Sequence, residues 1–189
     1  MEHKGTALLE TDRLILRRFV IEDAGAMYHN WASEDAVTKF LTWPTHSDAE
    51  VTRAVLSSWI ADYQKPDFYN WAIELKKTGE VIGNISVVQV KEKIRCAELG
   101  YCMGTRWWGS GIMPEAGKAV VKYLFEEVGC NRIAAVHDKN NPKSGRVMQK
   151  IGMTYEGTLR KAGFNNQGAV DEVWYSILRE EYQNGNAVS

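Results

Sequence analysis

The sequence predicts one α/β domain built on a mixed, mostly antiparallel sheet of about seven strands, with helices on both faces. Short runs rich in β-branched residues alternate with segments of helical apolar spacing. One of those helical segments lies between two strand-like runs, and a crossover helix makes its flanking strands parallel neighbours. At 189 residues, 44% of them hydrophobic, the chain is long enough for one sizeable core and short for two. No linker, repeat or low-complexity tract divides it.

The elements follow in order. Leu14-Ile15-Leu16-Arg17-Arg18-Phe19 is a short strand, and residues 22–36 carry a patchy helical pattern. Ser47 and Glu50 have the spacing of a capping box ahead of Val51, Val55, Leu56, Trp59 and Ile60, which predicts a helix to about Tyr63. Residues 69–75 and 81–90 flank the polar turn Lys76-Lys77-Thr78-Gly79 and read as an antiparallel hairpin. Residues 97–103 form the next strand. A helix over 113–128 follows, with Pro114 in its first turn and Ala116, Val120, Leu124 and Val128 on its buried face. Residues 132–137 give the parallel strand and 144–151 a short helix ended by Gly152. Residues 154–160 and 172–178 are closing antiparallel strands around a Gly/Asn-rich loop at 163–168.

The charge balance, 23 basic against 24 acidic residues, offers no basic field for nucleic acid or an anionic membrane. The first twelve residues lack the apolar stretch of a signal peptide, and no window is long enough to span a bilayer, so a cytoplasmic protein is expected. Cys96, Cys102 and Cys130 lack paired metal-ligand spacing and read as free, buried thiols, with no metal site.

The chemistry concentrates in Arg106-Trp107-Trp108-Gly109-Ser110-Gly111-Ile112, between a strand and a helix. Alternate glycines let the backbone approach a ligand closely, and successive amides at a helix N-terminus favour phosphate oxygens. The spacing fits neither a Rossmann fingerprint nor a Walker loop. The order Arg-x-x-Gly-x-Gly resembles the acyl-CoA pyrophosphate motif of the GNAT N-acetyltransferases. Other segments agree. Glu10-Thr11-Asp12-Arg13-Leu14-Ile15-Leu16-Arg17, Trp43-Pro44, Ala97-Glu98-Leu99-Gly100-Tyr101, Asn141-Pro142-Lys143-Ser144, Lys150-Ile151-Gly152-Met153 and the late 172–179 run are similar to the RimJ/RimL-like subgroup. The resemblance covers residues 10–182, so a GNAT domain is expected over 7–182 with a C-terminal tail at 183–189.

The resemblance implies acetyl-CoA as cosubstrate and an amine as acceptor. It implies that the strands over 97–103 and 132–137 splay apart, leaving a gap for the pantetheine arm. Backbone groups of Tyr101, Cys102 and Met103 would pair with that arm. Gly109, Ser110, Gly111 and Ile112 would hold the pyrophosphate, with Trp108 shielding the opening. Asn141 matches the family asparagine that bonds pantetheine, although an Asn-Pro turn explains it equally. The acceptor amine must lose a proton before it attacks. Glu98, in a largely apolar strand, is the first candidate base and substrate contact, with a purely orienting role or a pairing to Arg95 as its rival. His137 is the second candidate, more simply read as a satisfied strand end, with Asp138 as a turn residue, and ordered water alone is the third route for the proton. Many family members protonate the leaving thiolate with a tyrosine; here that place holds Met148, which leaves Ser144 as proton donor or as a helix cap.

Acceptor choice is expected from the 41–46 segment and the 163–168 loop. Trp43 is the candidate substrate contact there, and His46 reads as exposed. The favoured acceptor is a protein or peptide N-terminal α-amine, as in the ribosomal-protein acetyltransferases. The alternatives are a small amine (amino acid, antibiotic or polyamine) and a non-catalytic acyl-CoA-binding regulator. A homodimer is common in the family, and the aromatic-rich C-terminal strand could support one.

Overall fold

The computed structural model describes residues 1–186. Eight strands form one sheet in the order β1-β2-β3-β4-β5-β6-β8-β7: β1 Leu9–Glu10, β2 Leu14–Arg17, β3 Asn70–Leu75, β4 Val81–Lys91, β5 Cys96–Met103, β6 Arg132–Asp138, β7 Thr154–Asn165 and β8 Gly168–Leu178. The strand beyond the expected seven is β1, whose two residues are too few to show a period. Every pairing is antiparallel except β5 with β6. The crossover reading of the 113–128 helix therefore holds.

Helices cover both faces because β3 alternates. Trp71 and Ile73 belong to the core under α4 (Ile112–Tyr123, continued by a π turn Leu124–Val128), together with Ala116, Val120, Leu124 and Val128. Ala72 belongs to the opposite core, with Trp31 and with Leu56 of α3 (Ala49–Asp62). The patchy 22–36 segment is not one helix. It breaks into a 3-10 turn Ile21–Asp23, α1 Ala24–Met27, a π turn Tyr28–Ala32 and α2 Asp35–Thr38. Within it the Asn30 side chain donates to the Val81 carbonyl at 2.7 Å, fastening the π turn to β4.

Three local expectations change. The cap of α3 is Asp48, whose carboxylate accepts from the Glu50 and Val51 amides, while Ser47 donates to Asp48. His46 is buried, 7% exposed, because its Nδ1 pairs with the Thr52 hydroxyl at 2.8 Å. The 163–168 loop is mostly strand, turning only at Asn166 and Gln167, where the Asn165 side chain accepts from the Gln167 amide.

α5 (Pro142–Lys150) follows β6, and α6 (Arg179–Asn186) takes in the first residues of the expected 183–189 tail. Residues 187–189 lie outside the described residues. Ahead of position 7, the Glu2 amide donates to Val128 and the Gly5 amide to Pro66. Among the described residues no helix is long and apolar enough to cross a membrane.

Candidate active site

The parallel pair is short. β5 and β6 are in register from Cys96 opposite Arg132 to Leu99 opposite Ala135, and pairing ends there although both strands continue. Beyond that point Gly100–Met103 stays bound to β4, while Val136–Asp138 stays bound to β8. A sheet that parts between two such strands leaves an edge of unpaired backbone groups facing a gap.

The gap opens into a cavity of about 1100 Å³, lined by Trp43, Glu98, Tyr101, Cys102, Met103, Trp108, Gly109, Gly111, Ile112, Asn141 and Ser144. Thus residues drawn from four separate stretches of sequence meet around one space. Ser110 alone of the expected set is not on its wall. Its hydroxyl turns back to the Trp107 carbonyl, and its own carbonyl accepts from Arg13 at 3.0 Å.

At one end of the cavity the loop before α4 is held in the left-handed region by Gly109 (φ +79) and Gly111 (φ +78). Residues with a β-carbon rarely adopt that backbone. No side chain caps the helix, so its first amides stay turned toward the loop. Arg13 braces the loop from just ahead of β2: its guanidinium bonds the Glu115 carboxylate at 2.6 Å as well as the Ser110 carbonyl. The basic side chains Lys143, Arg146 and Lys150, one face of α5, line the same cavity. Their 3 and 4 residue spacing was the available signal for them. Arg13 and Glu115, about a hundred positions apart, gave none.

Trp108 lines the cavity and is 38% exposed. Its indole N–H donates to the Met103 carbonyl at 2.7 Å, and the Lys143 ammonium lies 4.5 Å from its ring centre, a cation–π contact. Cys102 turns its thiol to the other face of β5, where it donates to the Asn84 side chain at 2.9 Å. Burial pushes that thiol up to about 12, so it stays protonated.

Ser144 is not the helix cap. α5 begins at Pro142, Asn141 occupies the cap position without a side-chain bond, and Ser144 stands in the first turn. Its hydroxyl lies 3.0 Å from the Tyr101 hydroxyl, which also donates to the Ser144 carbonyl. A tyrosine from β5 therefore touches the helix across the gap, and its burial raises its pKa. Met148 is 1% exposed within the core and faces away from this chemistry.

Glu98 lies on the cavity wall one step before the strands part. Burial raises its pKa; Lys91 opposes that shift and Glu172 adds to it. Among the described residues its carboxylate has no hydrogen-bonding partner, and Arg95 donates instead to the Gly129 carbonyl. His137 is buried, its Nδ1–H donating to the Asp138 carbonyl at 2.7 Å, and burial lowers its pKa. Asp138 does form the turn, accepting from the Asn140 amide. It also anchors the β7–β8 hairpin through Asn165 at 2.8 Å.

Trp43 packs on His46 with ring centres 5.1 Å apart. The hairpin tip closes on its segment: Asn166 donates from its side chain to the Thr38 and Trp43 carbonyls and from its backbone to Leu41. The two segments expected to flank the acceptor are thus joined by two hydrogen bonds, to Leu41 and Trp43, with a third to Thr38 just ahead, and both segments line the cavity.

Residues 13–154 match the family model described as acetyltransferase (GNAT) domain. The uncharacterized N-acetyltransferase YoaA of Bacillus subtilis (strain 168) is 35% identical over 172 residues, covering 91% of this chain and 97% of that protein. The ribosomal-protein-serine acetyltransferase of Escherichia coli (strain K12) is 28% identical over 134 residues, 70% of this chain and 73% of that one. A solved GNAT-family acetyltransferase from Bacillus anthracis matches with a TM-score of 0.81 and 27% identity, over 92% of this chain and 99% of its own. On the family match over residues 13–154 and the full-length relatives, the chain belongs to the GNAT family and is an acetyl-CoA-dependent N-acetyltransferase.

Proposed function

We propose that this enzyme acetylates the α-amine of a protein or peptide N-terminus by direct attack of the amine on the thioester. The observation that carries the reading is Glu98: a half-buried carboxylate without a hydrogen-bonding partner among the described residues, set where the parallel strands part. The likeness to a ribosomal-protein-serine acetyltransferase supports a protein acceptor.

Acetyl-CoA, when bound, supplies an activated acetyl group and a thiolate leaving group. The chain does the rest. Amides of Gly109, Ser110, Gly111 and Ile112 hold the pyrophosphate, with Lys143 and Arg146 adding positive charge. Backbone groups of Tyr101, Cys102 and Met103 pair with the pantetheine amides as an added strand would, and Asn141 bonds the same arm from the other side. A backbone N–H at the parted edge holds the acetyl oxygen as negative charge grows on it. Glu98 takes one proton from the incoming ammonium. The amine nitrogen then bonds to the acetyl carbon as the carbon–sulfur bond breaks. A second proton leaves the nitrogen to water as the amide forms; the Ser144 hydroxyl, backed by Tyr101, gives its proton to the sulfur and takes one back from water, and Glu98 returns its own to solvent. The net release is one proton per turnover when the amine arrives protonated.

Ser144→Ala is expected to lower kcat about tenfold, below the full range of a strong general acid, because a thiolate needs little help to leave. The thermal midpoint should move little, since Ser144 is not the cap. A fall in midpoint with kcat intact would return Ser144 to a structural role.

The reading is tested by release of free thiol from acetyl-CoA against peptides, free amino acids, polyamines and aminoglycosides. Turnover with peptides is expected. Inert peptides beside a turned-over small amine would overturn the acceptor assignment, and silence throughout would favour an acyl-CoA-binding regulator.

A further inference from the structure

One wall of the cavity is apolar: Trp43, Trp59 and Phe68 rest on the second core, while Val88 and Phe164 reach the cavity from the exposed surface. Phe40, Trp43, Trp59, Phe68, Val88 and Phe164 all line it. Val88 is 61% exposed and Phe164 69% exposed, so neither is held there by packing. Clustered exposed apolar side chains rimmed by polar groups mark an interaction site.

Two local devices aim these side chains. β4 carries an extra residue between Val87 opposite Leu99 and Gln89 opposite Glu98, and that bulged residue is Val88. It lies over Gly100, where an added β-carbon would come within 2.6 Å of a Val88 methyl. Phe164 stands beside Asn165 and Asn166 in the hairpin whose tip is bonded to Asp138, Thr38, Leu41 and Trp43. The fold therefore sets the backbone that carries both side chains. Across the same cavity stand two carboxylates, Glu98 and Glu172, the latter accepting from the Trp174 indole at 3.2 Å. The sheet registers put both on one face.

A cationic amine matches the carboxylates, and a bulky apolar group matches the wall. We infer that the acceptor carries a large apolar side chain, aromatic or long aliphatic, next to its amine; for a peptide N-terminus this is the side chain of residue 1. The inference rests on the α-amine reading. Serine or alanine at that position would leave the wall facing water. A polyamine would satisfy the carboxylates and leave the wall unused.

The test is thiol release by the full chain with peptides of one common tail that begin with Phe, Leu, Ser or Ala, alongside phenethylamine and spermidine. Expected is a kcat/KM for the Phe and Leu peptides about tenfold or more above Ser and Ala, the range one apolar pocket contact supplies. Phe164→Ala and, separately, Val88→Ala should shrink that ratio several-fold by raising KM for the Phe peptide. Both side chains are exposed, and an unchanged thermal midpoint would verify folding. Ser or Ala peptides used as well as Phe would overturn the apolar class while leaving the peptide reading standing. A Phe preference untouched by both variants would overturn the wall as its source. Phenethylamine turned over while peptides are inert would do the reverse, keeping the apolar class and removing the peptide. Turnover of spermidine alone would overturn both.

Discussion

Glu98→Gln is expected to lower kcat about 10²- to 10³-fold near neutral pH, within the range a positioned general base contributes. The acid limb of the pH profile should vanish with it. The sign follows from the surroundings of the carboxylate. Burial, with Glu172 adding to it, raises the Glu98 pKa against the pull of Lys91. A base must be ionised, so wild-type kcat/KM should climb as pH rises through that raised pKa and then level off. Stability runs the other way. The folded state holds this proton more tightly than the unfolded chain does, so the contribution is full below the unfolded carboxylate pKa and is lost as pH rises through the folded one. Above that window glutamine should leave the thermal midpoint equal or higher while activity collapses, a pairing that simple misfolding would not give. An unchanged pH profile would return the base role to water or to His137. His137 would keep its Nε2 lone pair for that role, since its Nδ1–H donates to the Asp138 carbonyl, but Nε2 packs against Gly145 and burial lowers its pKa.

Gly111→Ala should raise the Kd for CoA about tenfold or more. At φ +78 a β-carbon costs about 1–2 kcal/mol, and about 1.4 kcal/mol is a factor of ten in affinity. The added methyl meets nothing in the fold closer than the Arg13 guanidinium at 3.6 Å, so the strain comes from the backbone. Relaxing it would turn the loop amides away from the phosphates. Gly109→Ala, at φ +79 with open space around the new carbon, should behave alike. Calorimetry with CoA reads both. Wild-type affinity in the two variants would remove the glycine cradle from the account.

Much of this was legible because it is periodic or local. The buried stripe of α4, the β3–β4 hairpin and the glycine loop each have a short-range cause, and the parallel pair followed from the helix that joins it. Where two neighbours offered the same chemistry the sequence was silent: Ser47 and Asp48 can both cap, and the helix starts where Asp48 serves. The Gly/Asn content at 163–168 suggested a loop, yet the ladder runs to Asn165 because Asn165 itself closes the turn. Ser144 looked like a cap from its place near a helix start, and the Asn-Pro pair moved that start forward. His46 looked polar and exposed until Thr52 supplied a partner. Least legible were the contacts between distant positions: Asn166 to Thr38 and Trp43, Arg13 to Ser110 and Glu115, and Tyr101 to Ser144. These hold the mouth, the cradle and the two sides of the gap, and no spacing rule joins residues 43 to 128 positions apart.

The most direct measurement is mass-spectrometric location of the acetyl group after the enzyme is given acetyl-CoA and a peptide bearing both a free α-amine and an internal lysine. Acetylation at the α-amine, lost in Glu98→Gln, is the expected result. Acetyl placed on the lysine, or transfer undiminished in that variant, would contradict it.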